Sequence, residues 1–467
     1  MSIPSLSECN KINPELCRLL TSVLNKIRPS EAEKTHVMTF SEQVRKEVER
    51  ALLDIDVPYK VEIHGSIAHD TWLSNDRDID IFILLEKKVS KTYIVREILD
   101  RLKKRLDYKF EQRYAEHPYL RAYVDEFTFD IVPGFRVGEI VSAVDRTPLH
   151  TAFLRENLSD ELIDEVRLLK SFLKGIGAYG AEIKTQGVSG YASELLVVHY
   201  GSFLNILRAF ASEERIFIDF TNSWDKEKAF EEFKGKIIII DPVDRNRNVT
   251  ANTSTRSFYL IKLASKIFLE KPSIKFFFPC RKVKLGSLYD LKNRDIVIIT
   301  LEKNPNVPPD TYWGQARRIE KLIKNFLKNI KEIHLFATDL ADSDHYIFLF
   351  IEVNSTKLNE FKEIRGPPVW ANIRDILRFI NEYRNKAVSG PWLKGSRLVF
   401  QVKRSTAEMQ LINHLERFLR RVRLDPSFRK FNILESYWET TLLEKFGVLD
   451  ALYRFIGRRL PWLECND

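Results

Sequence analysis

Gly65-Ser66, Asp78, Asp80 and Asp130 are the residues of this chain whose types and spacing could do chemistry. Asp78-Ile79-Asp80 opens the run Asp-Ile-Asp-Ile-Phe-Ile-Leu-Leu, which reads as a buried strand over 78–85. Side chains alternate along a strand, so the two carboxylates share a side and sit roughly 6.5–7 Å apart. Two carboxylates so placed repel each other unless a cation lies between them. Magnesium suits such a pair, being hard, oxygen-loving and ready to share its shell with phosphates. Asp130 lies in Phe-Thr-Phe-Asp-Ile-Val with the same alternation, and supplies a third ligand if the two strands are neighbours. Three carboxylates can hold two metal ions for in-line attack at a phosphate. A turn leading into a helix, as at Gly65-Ser66, offers backbone N–H groups to the phosphates. Asp-x-Asp by itself is common at solvated strand ends; the combination with Gly-Ser and a third strand Asp carries the weight.

The elements that must position these groups are legible from periodicity. Residues 59–66 predict a strand entering a tight turn, and 67–75 a short helix. Helical spacing covers 13–28 and 39–55, with Pro29-Ser30-Glu31 as a break between them. A polar helix near 90–106 and strands near 107–115, 119–126 and 127–133 complete an α/β domain. A charged helix at 159–174 ends in Gly175-Ile-Gly177-Ala-Tyr-Gly180, a formal G-x-G-x-x-G match. It follows a helix and opens none, so it reads as a helix stop with left-handed glycines and not as a dinucleotide loop. Gly190 to Phe210 reads as one buried helix, Lys236 to Ile240 as a strand, and 256–269 as a helix. Beyond 275, strands at 295–300, 333–338, 345–353 and 397–403 alternate with basic amphipathic helices, the last carrying Arg417, Arg420, Arg421, Arg423, Arg429 and Lys430.

A length of 467 residues predicts about three domains. The net charge of +9, from 74 basic against 65 acidic residues, leans mildly toward a polyanionic partner. Cys9, Cys17, Cys280 and Cys465 show neither metal-ligand spacing nor an obvious disulfide framework, and the nine His are scattered, which argues against a zinc site. The amino terminus has no signal pattern and the apolar runs are strand-sized, so a soluble cytoplasmic protein with no membrane partner is expected.

The chain resembles the archaeal-type (class I) CCA-adding enzymes, tRNA nucleotidyltransferases of the polymerase-β superfamily. The resemblance rests on His64-Gly-Ser-Ile-Ala-His-Asp-Thr-Trp-Leu73, Asp78-Ile-Asp80, Arg113-Tyr-Ala-Glu-His-Pro-Tyr119, Asp130-Ile-Val-Pro133 and Ser142-Ala-Val-Asp-Arg-Thr-Pro148. It continues in Glu165-Val-Arg-Leu-Leu-Lys170, Gly177-Ala-Tyr-Gly-Ala-Glu182, Gly190-Tyr-Ala-Ser-Glu-Leu-Leu196 and Asp241-Pro-Val-Asp244 with Arg247-Asn248. It is dense from about 20 to 270 and thinner beyond. The bacterial and eukaryotic class carries an Arg-Arg-Asp-Phe-Thr element that is missing here.

The resemblance implies template-independent addition of CTP, CTP and then ATP to the tRNA 3′ end. The implied fold is α+β and multidomain: a nucleotidyltransferase head (1–155), a mostly helical neck (156–272), and an α/β body and tail (273–467) that bind tRNA. Asp78, Asp80 and Asp130 are the implied ligands of two Mg²⁺ ions. Gly65, Ser66 and His69 are implied to face the triphosphate, His150, Lys170 and Tyr179 the incoming nucleotide's sugar and phosphates, and Arg247 its base. The tRNA is implied to lie along the basic side, and the long third domain leaves room for a homodimer contact. Competing expectations are a poly(A) or oligoadenylate polymerase sharing Gly-Ser and Asp-x-Asp, and a catalytically inactive RNA-binding relative.

Two positions depart from the family pattern. Asp78 stands where many members have Glu, an exchange that keeps a ligand. His69 stands where Arg is usual, and His is only partly protonated near neutral pH whereas Arg stays charged. The Michaelis constant for nucleotide is therefore expected to rise as pH climbs from about 6 to 8. That rise should vanish in His69→Arg; a flat wild-type profile would remove the idea.

Overall fold

A computed structural model describes residues 13–114, 118–136, 144–279, 294–422, 424–434, 440–458 and 460–463. Residues 115–117 and 142–143 of the two expected motifs, Arg423, and Cys9, Cys280 and Cys465 lie outside them. The described residues fall into two compact units divided near residue 282, with 460–463 returning to the first.

The first unit opens with helices α1 (Pro14–Ile27) and α2 (Glu31–Ala51). The expected break is shorter than its Pro-Ser-Glu sequence suggested. The Ser30 side chain accepts from the Glu33 N–H, so the segment is an N-cap and α2 starts at once. Next come β1 (Tyr59–His64), α3 (Gly65–Ala68), β2 (Asp78–Leu85), a helical run from Lys91 to Arg105 with a π-helical middle, β3 (Lys109–Tyr114), β4 (Pro118–Val124) and β5 (Phe127–Phe135). The helix expected over 67–75 is only the four residues of α3; Asp70 and Asn75 then take positive φ and the chain loops to β2.

The five strands form one mixed sheet in the order β1-β2-β5-β4-β3, with β2 and β5 parallel and the other pairs antiparallel. Alternation assigns its two faces. Ile79, Ile81 and Ile83 of β2, with Phe129 and Ile131 of β5, pack under Val37, Val44 and Val48 of α2 and under Ile94, Ile98 and Leu102. Asp78, Asp80 and Asp130 therefore emerge on the other face, which continues into a small apolar patch of Phe82, Leu84 and Val132.

The same unit continues through α4 (Thr147–Asn157), α5 (Asp160–Ile176), α6 (Gly190–Tyr200), α7 (Phe203–Ser212), β6 (Ile216–Asp219), α8 (Lys226–Phe233), β7 (Ile237–Asp241), β8 (Asp244–Asn248) and α9 (Thr255–Glu270). Gly177 caps α5 at φ 77°, as the rejected dinucleotide match required. The apolar stretch from 190 is two helices, because Gly201 in the left-handed region turns the chain by 93°. Among the described residues no single helix is long and apolar enough to cross a membrane. A small sheet, β6-β7-β8, lies within this otherwise helical region. Phe172 of α5 packs among Phe203, Phe268, Phe276 and Phe277, and Trp462 stacks on Phe276 at 5.0 Å. Residues 276–277 and 462 thus belong to this core. Cys17 on α1 is buried and disulfide-bonded, which corrects the expectation of no disulfide framework.

The second unit holds β9 (Asp295–Lys303), α10 (Pro309–Lys328), β10 (Leu335–Asp342), β11 (Tyr346–Val353), β12 (Phe361–Pro368), α11 (Ile373–Tyr383), β13 (Ala387–Lys394), β14 (Arg397–Lys403), α12 (Leu411–Arg421) and β15 (Phe428–Leu434). They make a four-stranded sheet, β10-β11-β9-β15, and a three-stranded one, β12-β14-β13. The interrupted glycine-proline stretch conceals two edge strands and α11, and the expected final helical region contains β15.

The aromatic cluster round Phe172 makes a stability test. Phe172→Ala is expected to cost about 3–5 kcal/mol, seen as an earlier guanidinium unfolding transition; an unchanged midpoint would place these rings outside the stabilising core.

Candidate active site

The strand pairing brings the expected carboxylates together. Asp80 stands opposite Asp130 across the parallel pair β2–β5, and opposite His64 across β1–β2. Gly65 follows His64 at φ 70°, a conformation that favours glycine. Its backbone lies so close to the carboxylate that an added Cβ would meet Asp80 Oδ2 at 2.3 Å. The Gly-Ser turn and the acids are therefore one site, with Ser66 next to Gly65 at the start of α3.

Its electrostatics favour a cation. Burial, then Asp130 and Asp78, push the Asp80 carboxyl up to about 7. Asp78 is also pushed up, first by burial, with Arg121 opposing and Asp76 and Asp130 adding to the rise. Asp130 is held by Arg121 of β4, with Nε at 2.7 Å and Nη2 at 2.5 Å. Among the described residues no three such side chains already form a metal cage. The donor set still fits a hard divalent ion, since it is all carboxylate oxygen and its like charges are only partly balanced.

A second group forms around Glu194 on α6. Lys170 Nζ of α5 donates to Glu194 Oε1 at 3.1 Å and to Thr71 Oγ1 at 2.9 Å, and Thr71 donates to the same carboxylate oxygen in a short bond. His69 Nδ1 lies 3.5 Å from Glu194 Oε2, and its Nε2 is 3.2 Å from Thr151 Oγ1. His64 Nδ1 meets the same hydroxyl at 2.9 Å. Burial alone would raise the Glu194 carboxyl, but Lys170, then His69 and Thr71, outweigh it and hold it at about 2. The expected phosphate-facing pair His69 and Lys170 is thus brought together, on a shared buried anion. Tyr179 is joined to it by Gly190, where an added Cβ would lie 3.0 Å from the Tyr179 hydroxyl and 3.8 Å from Lys170 Nζ. Arg167, also buried, clamps the loop after α3 through Trp72 O at 3.1 Å and Asp70 Oδ1 at 2.8 Å.

A third group forms on Asp241, which is fully buried at the end of β7. His150 Nε2 lies 2.9 Å and Arg247 Nη1 2.6 Å from Asp241 Oδ2. Burial opposes ionisation there, but His150, the Val243 N–H and Arg247 together keep the carboxyl below its ordinary range. Tyr191 stacks on His150 with ring centroids 4.0 Å apart, and its buried hydroxyl has no hydrogen-bond partner among the described residues. The ten expected residues thus gather as three neighbouring sets, joined where Thr151 of α4 follows His150 and touches His64 and His69. Sequence reasoning gave no role to Arg121, Glu194, Asp241, Thr71 and Thr151. Glu194 and Asp241 stood inside quoted motifs, whereas Arg121 is visible only through strand register.

Residues 41–161 match a nucleotidyltransferase domain, 164–278 the second domain of tRNA nucleotidyltransferases, and 293–421 the C-terminal domain of CCA-adding enzymes. The CCA-adding enzyme of Pyrobaculum islandicum is 37% identical over 384 residues, covering 81% of this chain and 88% of that one. That of Sulfurisphaera tokodaii is 36% identical over 451 residues, covering 95% and 98%. The chain belongs to the CCA-adding enzyme family. Its first unit carries the polymerase-β-type nucleotidyltransferase domain of that family, and all three carboxylates lie within the matched 41–161 segment. Among solved structures, a cytoplasmic RNA terminal U-transferase is 17% identical with a TM-score of 0.44, covering 56% of this chain and 95% of that one.

The Glu194 cluster yields a pH prediction. The folded Glu194 carboxyl is held below the ordinary glutamate range, so its stabilisation is fully present above that range and is lost as pH falls toward about 2. Glu194→Gln should cost about 3–5 kcal/mol near pH 7 and flatten the loss of stability at acid pH. Melting curves of the two forms that fall in parallel from pH 5 to about 2.5 would contradict this.

Proposed function

We propose that this chain adds C, C and A to the 3′ end of tRNA without a nucleic-acid template, using CTP and ATP and releasing pyrophosphate. The observation that carries the chemistry is the register of Asp80 opposite Asp130 with the Gly65 backbone against it. Family membership over nearly the whole chain supports the substrate.

Asp78, Asp80 and Asp130 would hold magnesium, as two ions. Held there, magnesium would supply Lewis-acid charge for the phosphate oxygens and would lower the pKa of an attacking hydroxyl. The chain's own groups do the rest. The turn at Gly65-Ser66 presents its N–H groups to the triphosphate. Lys170, already fixed on Glu194, supplies positive charge beside it, His69 beside the same carboxylate can offer a ring N–H, and Tyr179 can donate its hydroxyl to phosphate oxygens. Asp241 orients His150 toward the sugar and Arg247 toward the base, so both arrive in a set geometry.

The test is to incubate the protein with tRNA lacking its 3′ CCA, Mg²⁺, CTP and ATP, and to sequence the product ends. CCA ends are expected, with turnover falling on the order of 10³-fold or more in Asp80→Ala. An adenylate tail would move the reading to a poly(A)-type polymerase, and bound but unextended tRNA to an inactive relative.

A further inference from the structure

Among the described residues, Asp130 alone of the three carboxylates has a counter-ion in contact. Arg121 of β4 is its cross-strand partner, and the guanidinium fork covers both carboxylate oxygens at once. Both side chains are about three-quarters buried, so solvent screens the pair weakly. The groups facing Arg121 include Asp130, Tyr119, Asp78 and the like-charged Arg113, and its field also reaches Asp80, Glu111 and Tyr123. Asp78 and Asp80 have no such partner among the described residues. A guanidinium is permanently charged and matches a carboxylate bidentately, so it competes directly with a divalent ion for the same oxygens.

We propose that Arg121 is a built-in counter-ion to the third carboxylate, with which a divalent cation must compete to gain full coordination. The inference rests on the metal reading given above. Its consequence is order of assembly. The free protein binds the cation weakly through Asp78 and Asp80, and tight coordination comes only when triphosphate oxygens complete the shell. Arg121 is here a positioning residue: it holds Asp130 in place and limits premature loading of the metal.

The full chain, without nucleotide or RNA, is titrated with Mn²⁺, and free ion is counted by electron paramagnetic resonance. Arg121→Gln is expected to bind Mn²⁺ on the order of tenfold more tightly than wild type. Arg121→Lys, which keeps the charge and loses the fork, should fall between them. It decides the matter by itself if the Gln form does not fold. Binding should weaken sharply when Asp80→Asn is added. Equal or weaker binding in the Arg121 variants, still abolished by Asp80→Asn, overturns the counter-ion role and leaves the metal site standing. Mn²⁺ binding that is absent from every form, or indifferent to Asp80→Asn, overturns both.

Discussion

Like charge confined at one point of a sheet is the constraint on which the rest of the first unit depends. Parallel pairing of β2 with β5 sets Asp80 beside Asp130, and strand alternation adds Asp78 on the same face. Such acids are costly unless something answers their charge. The opposite face of the same strands is wholly apolar and pinned by α2, so the register cannot slip by one residue without burying the acids in the core. Hydrophobic packing on one side thus enforces electrostatic crowding on the other.

The remaining polar machinery repeats a single device, a buried anion that fixes two or more functional side chains. Glu194 gathers Lys170, Thr71 and His69, and Asp241 gathers His150 and Arg247. In each case the anion comes from the helical part of the unit, and some of the groups it gathers come from segments that flank the sheet. The arrangement explains why a helical region must follow the catalytic sheet. Without α6 and β7, His69, Thr71 and His150 would have no partner to set their direction.

The sequence displayed the acids and their strands because period-two alternation and turn chemistry are local. β2 and β14 run over the residues expected of them, and β5 differs by two residues. What sequence concealed was either pairing or punctuation. Arg121 sits on an exposed-looking alternate position of β4, and only its register against β5 sets it on Asp130. Glu194 reads as one polar residue in an apolar helix, and its partners are 24 and 123 positions away in the chain. Gly201 broke a segment whose hydrophobicity suggested continuity, and glycine-proline runs masked two strands in the second unit. His69 illustrates a third kind of limit. Its place in the Gly-Ser motif is local and legible, whereas its lodging between Glu194 and Thr151 is set by residues far along the chain.

Gly65 contributes no side chain, yet it is closed to change from two directions. Its φ of 70° disfavours any side chain, and even the smallest would strike the Asp80 carboxylate. An alanine there could be accommodated only by turning that acid away from the turn. Position 65 therefore ties its own evolutionary freedom to the placement of a residue fifteen positions downstream. In a saturation library it would behave as a silent member of the carboxylate set, invariant for reasons of backbone conformation and space.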